Sequence, residues 1–135
     1  MAADPDNAPR RRALIVVADP VMQRICREAL GNAGFAVTNS VDSGAAAVIR
    51  AREQQPDVIL LSQQLSDVPA PEAVKWLRSN RESADTPIII LGGKPDGAKN
   101  NAQVTVLQRP VTAGQLQHAL TEALDREPGT QRTLP

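Results

Sequence analysis

Apolar residues along this chain follow two kinds of spacing. In the first they form short unbroken runs, Ala13 to Val17, Val58 to Leu61, Pro87 to Leu91 and Val104 to Leu107. Runs of that length suit strands covered on both faces, where neither side meets water. Phe35 to Asn39 instead alternates apolar with polar positions, as a strand with one wetted face does. Elsewhere apolar residues recur at helical intervals. Met22, Ile25, Cys26, Ala29, Leu30 and Ala33 share one stripe of a first helix. Asp19 precedes it as a cap, Pro20 suits its first turn, and Gly34 accepts the left-handed backbone that ends it. Asp42 or Ser43 caps an alanine-rich second helix reaching about Glu53, and Pro71 opens a third carrying Val74, Trp76 and Leu77. Thr112 and Gln115 have capping-box spacing ahead of a last helix, whose stripe is Leu116, Ala119, Leu120, Ala123 and Leu124.

Strand then helix recurs through the first three units, followed by strand, loop, strand and helix. That alternation predicts an α/β protein with a parallel sheet between two helical layers. Right-handed crossovers leave few topologies, and for five strands the flavodoxin-like (βα)5 arrangement, order 2-1-3-4-5, leads. One unit is incomplete. Residues 92–103 read GGKPDGAKNNAQ, with no large apolar side chain to bury, so the fourth helix is expected to be shortened or missing. Sheets of this type place their reactive crevice beyond the carboxyl ends of the strands. The residues there are Val17, Ala18, Asp19, Ser62, Gly92, Gly93, Arg109 and Pro110.

A length of 135 residues suits one domain. We take it as residues 10–126, between polar, proline-containing arms at 1–9 and 127–135 that are expected to be disordered. One Trp, one Phe and no Tyr leave the core to aliphatic side chains. Fifteen basic residues balance fifteen acidic ones, so the attraction that a nucleic-acid or anionic-membrane binder needs is missing. The cluster Arg10, Arg11 and Arg12 reads as a solubilising flank. A single cysteine, Cys26, excludes an internal disulfide and a cysteine zinc cluster. A single histidine, His118, excludes a multi-histidine metal site. No apolar run approaches the ~20 residues of a membrane span, and no signal-peptide core is visible, so the expected location is the cytoplasm.

The texts ALIVVADPVMQRICREAL, GFAV, PDVILLSQQL, TPIIIL and QRPV occur in that order before an amphipathic last helix. From about Arg12 to Asp125 the chain resembles the receiver domain of two-component response regulators, the CheY-like superfamily. The resemblance implies a bacterial role in phosphorelay signalling and a site that can be compared position by position. It implies two carboxylates that hold magnesium at the end of the first strand, where this chain has Val17 and Ala18. It implies a phosphoacceptor aspartate ending the third strand, where Ser62 stands, and a Thr or Ser ending the fourth, where Gly92 stands. The aromatic switch position of the fifth strand falls at Val106, and the lysine before a proline at Arg109, before Pro110.

Magnesium takes near-octahedral oxygen ligands, usually including a carboxylate. Val17 and Ala18 supply none, and Ser62 offers a neutral hydroxyl with no evident base to activate it. Asp19 lies one residue beyond the usual pair. Phosphoryl transfer relies on such an ion to neutralise charge on the transferring oxygens. The expectation is therefore a degenerate, atypical receiver, or pseudo-receiver, with no magnesium, no other cofactor and no enzymatic activity. It acts by phosphorylation-independent contact with a protein, either a histidine kinase or another signalling protein, with a homodimer left open. Neither nucleic acid nor membrane is expected as a partner. Two other readings stay open: a small-ligand sensor using the vacated crevice, and a regulator phosphorylated at a non-standard acceptor such as Asp19. Arg109 either pairs with Asp19 in the vacated pocket or is solvated, and the resemblance implies a cis peptide before Pro110. Gly92, Gly93 and Lys94 miss the phosphate-loop pattern and read as a turn. Ser62 reads as a small strand-end residue rather than a kinase target. Cys26 reads as an inert buried thiol, Trp76 as helix-edge packing and His118 as a surface residue.

Overall fold

Several helix starts are set locally, by side chains within one turn of them. In the computed structural model, which describes residues 11–92, 104–107 and 111–125, Asp19 caps α1 (Pro20–Asn32) by accepting the Met22 N–H at 3.2 Å. Pro20 sits in the first turn, where an N–H would have no partner inside the helix. Ser43, rather than Asp42, caps α2 (Gly44–Gln54), its hydroxyl accepting the Ala46 N–H at 3.0 Å. Helix α3 spans Ala70–Arg78, so it begins one residue before Pro71, and a 3-10 turn at Arg81–Ser83 follows it. Ahead of α4 (Ala113–Asp125) the capping box closes in both directions. The Gln115 N–H donates to Thr112 Oγ1 at 3.2 Å, and the Thr112 N–H donates to Gln115 Oε1 at 3.1 Å. Gly34 has a φ of +88°, as its place after α1 required.

The strands are β1 (Arg11–Val16), β2 (Phe35–Val41), β3 (Val58–Ser62), β4 (Ile88–Leu91) and β5 (Val104–Leu107). They form one parallel sheet in the order β2-β1-β3-β4-β5, the order expected from the alternation. Strand β2 runs two residues beyond the expected end at Asn39. Its register against β1 shifts between Ala13 and Leu14, and Ser40 and Val41 then pair with Ile15 and Val16. Strand β1 starts earlier and ends one residue earlier than expected, although the Val17 N–H still reaches Val41 O at 2.9 Å. At the other end of β1, Arg12 and Asp57 are joined twice. The Arg12 N–H donates to Asp57 Oδ2 and the Asp57 N–H to Arg12 O, each at 2.7 Å.

Successive residues of a strand face opposite sides, so each unbroken apolar run feeds two cores at once. Ala13, Ile15, Leu60 and Ile89 pack with α1 and α4, whereas Leu14, Val16, Ile59, Leu61, Ile88 and Ile90 pack with α2 and α3. Full burial of one such Val, Leu or Ile side chain is worth about 1.5–3 kcal/mol over exposure. Cys26, Ala29 and Leu30 carry the α1 stripe into this core. Ala33, expected in the same stripe, is exposed and forms the helix C-cap instead, because the helix ends before that position turns inward. Leu116, Ala119, Leu120 and Ala123 are buried beneath α4. No helix among the described residues is long and apolar enough to cross a membrane. The expected terminal arms, the expected loss of a helix between β4 and β5, Arg10 and the side chain of Leu124 lie outside the described residues.

Candidate functional site

The carboxyl ends of the central strands meet along one edge of the sheet. Val16 registers beside Leu61 and Ser62 beside Leu91, which brings Val17, Ser62 and Gly92 to neighbouring strand ends. Val17 is fully buried and belongs to the apolar core under α1 and α4, so the first strand contributes an aliphatic floor. Its carbonyl accepts a hydrogen bond from Gln23 Nε2 at 2.7 Å, an amide folded back from α1 over the end of β1. Ala18 is exposed and adds only backbone donors and acceptors. Asp19 does supply a carboxylate, but that group is the α1 cap. The Ser62 side chain is half-buried at the end of β3.

At Gly92 the chain leaves β4 with a φ of +94°, a conformation that a branched side chain rarely adopts. Its N–H donates to Leu107 O at 2.6 Å, which ties the end of β4 to β5. Val106 is half-buried on β5 and packs against the core beneath α2 and α3. Gly93, Arg109 and Pro110 lie outside the described residues, and with them the expected turn, the two readings of Arg109 and the peptide before Pro110.

This donor set does not fit magnesium. The ion takes hard oxygen ligands in a near-octahedral shell, and among the described residues Val17, Ala18, Asp19 and Ser62 offer two aliphatic side chains, one alcohol and a carboxylate engaged in a helix cap. No cluster of three or more His, Cys, Asp or Glu suited to a metal occurs among the described residues.

Sequence reasoning missed Asp67. It lies in the loop between β3 and α3, and its carboxylate accepts the Gly44 N–H at 2.8 Å and the Ala45 N–H at 3.1 Å, at the start of α2. Those bonds, the one from Gly44 foremost, hold its carboxyl below the ordinary value against an opposing desolvation. Nothing local in the sequence pointed to this, since the partners lie 23 and 22 residues away.

The remaining candidates fall where plain packing puts them. Cys26 is buried, and burial pushes its thiol up to about 12, with Arg27 acting weakly in the opposite sense. Trp76 is half-buried against Gly44 at the contact of α2 with α3. His118 is exposed, its Nε2 3.1 Å from Glu122 Oε2 one turn along α4.

The profile of the response regulator receiver domain matches residues 13–121 of the chain. This chain belongs to the response regulator receiver domain family. A receiver domain is a component of two-component signalling, and that is the system in which this chain takes part. It is 33% identical over 81 residues to TcrX of Mycobacterium tuberculosis, a stretch covering 60% of this chain and 33% of TcrX. It is 32% identical over 79 residues to the polar-differentiation response regulator DivK of Brucella ovis, covering 58% of this chain and 63% of DivK. The match thus spans less than two thirds of either relative. Among solved structures, the receiver domain of the sensor histidine kinase PA1611 from Pseudomonas aeruginosa has a magnesium ion coordinated in its active site cleft. It superposes with a TM-score of 0.72 at 26% identity, over 85% of this chain and 98% of its own. The chemotaxis response regulator CheY4 of Vibrio cholerae superposes with a TM-score of 0.75 at 22% identity, over 85% of this chain and 99% of its own, a likeness of fold alone.

Proposed function

We propose that this receiver domain is a pseudo-receiver, which passes its signal by binding a protein partner and is not itself phosphorylated. One observation carries the reading: the strand ends present Val17, Ala18, Ser62 and Gly92 where phosphoryl transfer needs anionic oxygens gathered around a divalent cation. Without such a cation, the charge that develops on the transferring oxygens has no counterpart in the crevice. Attack by the Ser62 hydroxyl would need a base within hydrogen-bonding reach. Asp19 is a poor substitute acceptor, because its carboxylate is engaged as the cap of α1 and its neighbours Val17 and Ala18 supply no carboxylate to hold a cation beside it. The domain therefore has no catalytic step of its own and takes no cofactor. We place it in the bacterial cytoplasm, facing a histidine kinase or another signalling protein.

Amide NMR spectra recorded with magnesium alone, then with magnesium and beryllofluoride or acetyl phosphate, test this. Resonances of residues 17–19, 62–64 and 92 are expected to stay in place, and the protein mass is expected to be unchanged by acetyl phosphate. Site-wide shifts with beryllofluoride, or a phosphoryl adduct by mass, would return the domain to the phosphorylated class. Shifts at the strand ends produced by a nucleotide or metabolite would make it a ligand sensor instead.

A further inference from the structure

The loop between β3 and α3 is fastened to α2 and to the turn just before it in three separate ways. The first is charge-assisted. The two oxygens of the exposed Asp67 carboxylate accept the Gly44 and Ala45 N–H groups at 2.8 and 3.1 Å, and no carbonyl inside α2 could satisfy those donors. A negative group there also faces the positive end of the helix dipole. The second tie is backbone to backbone, from the Ser66 N–H to Asp42 O at 3.0 Å. The third is apolar. A Cβ placed on Gly44 would lie 3.0 Å from Val68 Cγ2 and 3.1 Å from Trp76 Cζ3, so loop, α2 and α3 meet with no space between them. Inside the loop, the Leu65 N–H donates to Val68 O at 3.1 Å and the Ala70 N–H to Gln63 O at 2.9 Å.

We propose that Asp67 is a latch that makes the loop from Gln63 to Pro69 and the start of α2 one rigid unit, a preformed rim beside the strand-end crevice. Asp67 is a positioning residue in this scheme: it touches no substrate and acts through the loop it holds. The inference goes beyond the phosphorylation question and can stand or fall without it.

Backbone 15N relaxation on the whole chain tests it, in the wild type and in the variants Asp67→Ala, Asp67→Asn and Ser43→Ala. Wild-type order parameters at residues 64–68 are expected near the ~0.85 of a rigid backbone, falling below ~0.6 in Asp67→Ala. Those of Leu60 and Ile89 in the central strands are expected to hold. Asp67→Asn keeps one acceptor oxygen and is expected to fall between, and it carries the test if Asp67→Ala does not fold. Ser43→Ala removes the other cap of α2 and is expected to loosen Ala46 while leaving residues 64–68 rigid. A wild-type loop that is already flexible would overturn the proposal. So would a loop unchanged in both Asp67 variants, or one loosened equally by Ser43→Ala, since Asp67 would then be a helix cap and no more. If the strand ends respond to beryllofluoride while the loop loosens only in the Asp67 variants, the pseudo-receiver reading fails and the latch survives.

Discussion

Gly92 stands where the resemblance implies a Thr or Ser, and the backbone there adopts a φ of +94°. The substitution and the local chain path therefore go together, because a β-branched residue at that angle clashes with its own carbonyls. Gly92→Thr is expected to destabilise the domain by about 1–2 kcal/mol, read as a lower urea midpoint, and to leave the response to beryllofluoride absent. A midpoint equal to that of the wild type would show that the turn relaxes. The same scale separates what residue identity reveals from what it hides. That Val17, Ala18 and Ser62 lack carboxylates is plain from the letters alone. That Val17 is fully buried, its carbonyl held by Gln23, is a matter of neighbours brought in by α1.

Some elements in this domain begin where short-range chemistry tells them to. The pairing of Thr112 with Gln115 was legible because a capping box acts across three residues, and the structure closes both of its hydrogen bonds. Thr112→Ala is expected to cost about 1 kcal/mol, measured as a drop in stability with the fold retained by circular dichroism. Contacts between elements were less legible. Gly44 reads as an ordinary residue in the first turn of α2, yet a side chain there would press on Val68 Cγ2, Trp76 Cζ3 and Ala73 Cβ, the last at 3.3 Å. Gly44→Ala is therefore expected to destabilise by about 1–3 kcal/mol and to alter the emission of the single tryptophan, which sits at that contact. Unaltered fluorescence and stability would mean that α3 can shift aside at no cost. Strand β2 outlasts its alternating pattern for a related reason: Ser40 and Val41 are strand residues because β1 lies beside them.

For the molecule as a whole, one buried acid links stability to pH. The Cys26 thiol is raised from 9.0 to about 12 in the folded state, chiefly by desolvation. Between those values the unfolded chain releases this proton while the folded chain keeps it, so the unfolded state binds fewer protons and stability falls as pH rises. The loss is confined to alkaline solution, with a slope of up to about 1.4 kcal/mol per pH unit. Denaturant titrations from pH 8 to pH 11 should show it, and Cys26→Ala should flatten the difference; equal slopes in both proteins would mean the thiol is not desolvated as deeply as its burial indicates. The sheet order is a property of the same scale, and it was nonetheless readable. Alternating strands and helices joined by right-handed crossovers leave few closed arrangements, and the chain takes the leading one.

From its sequence alone this protein's strands and main helices, the caps of α1 and α4, the parallel sheet and the lack of carboxylates at positions 17, 18 and 62 were determined, because each depends on residue identity or on spacing within a few positions. Tertiary structure alone decided that Asp67 grips the start of α2, that Gly44 has no room for a side chain and that β2 extends to Val41. Those outcomes depend on groups brought together from distant parts of the chain, and only burial of the two apolar faces of the sheet sets how closely they approach.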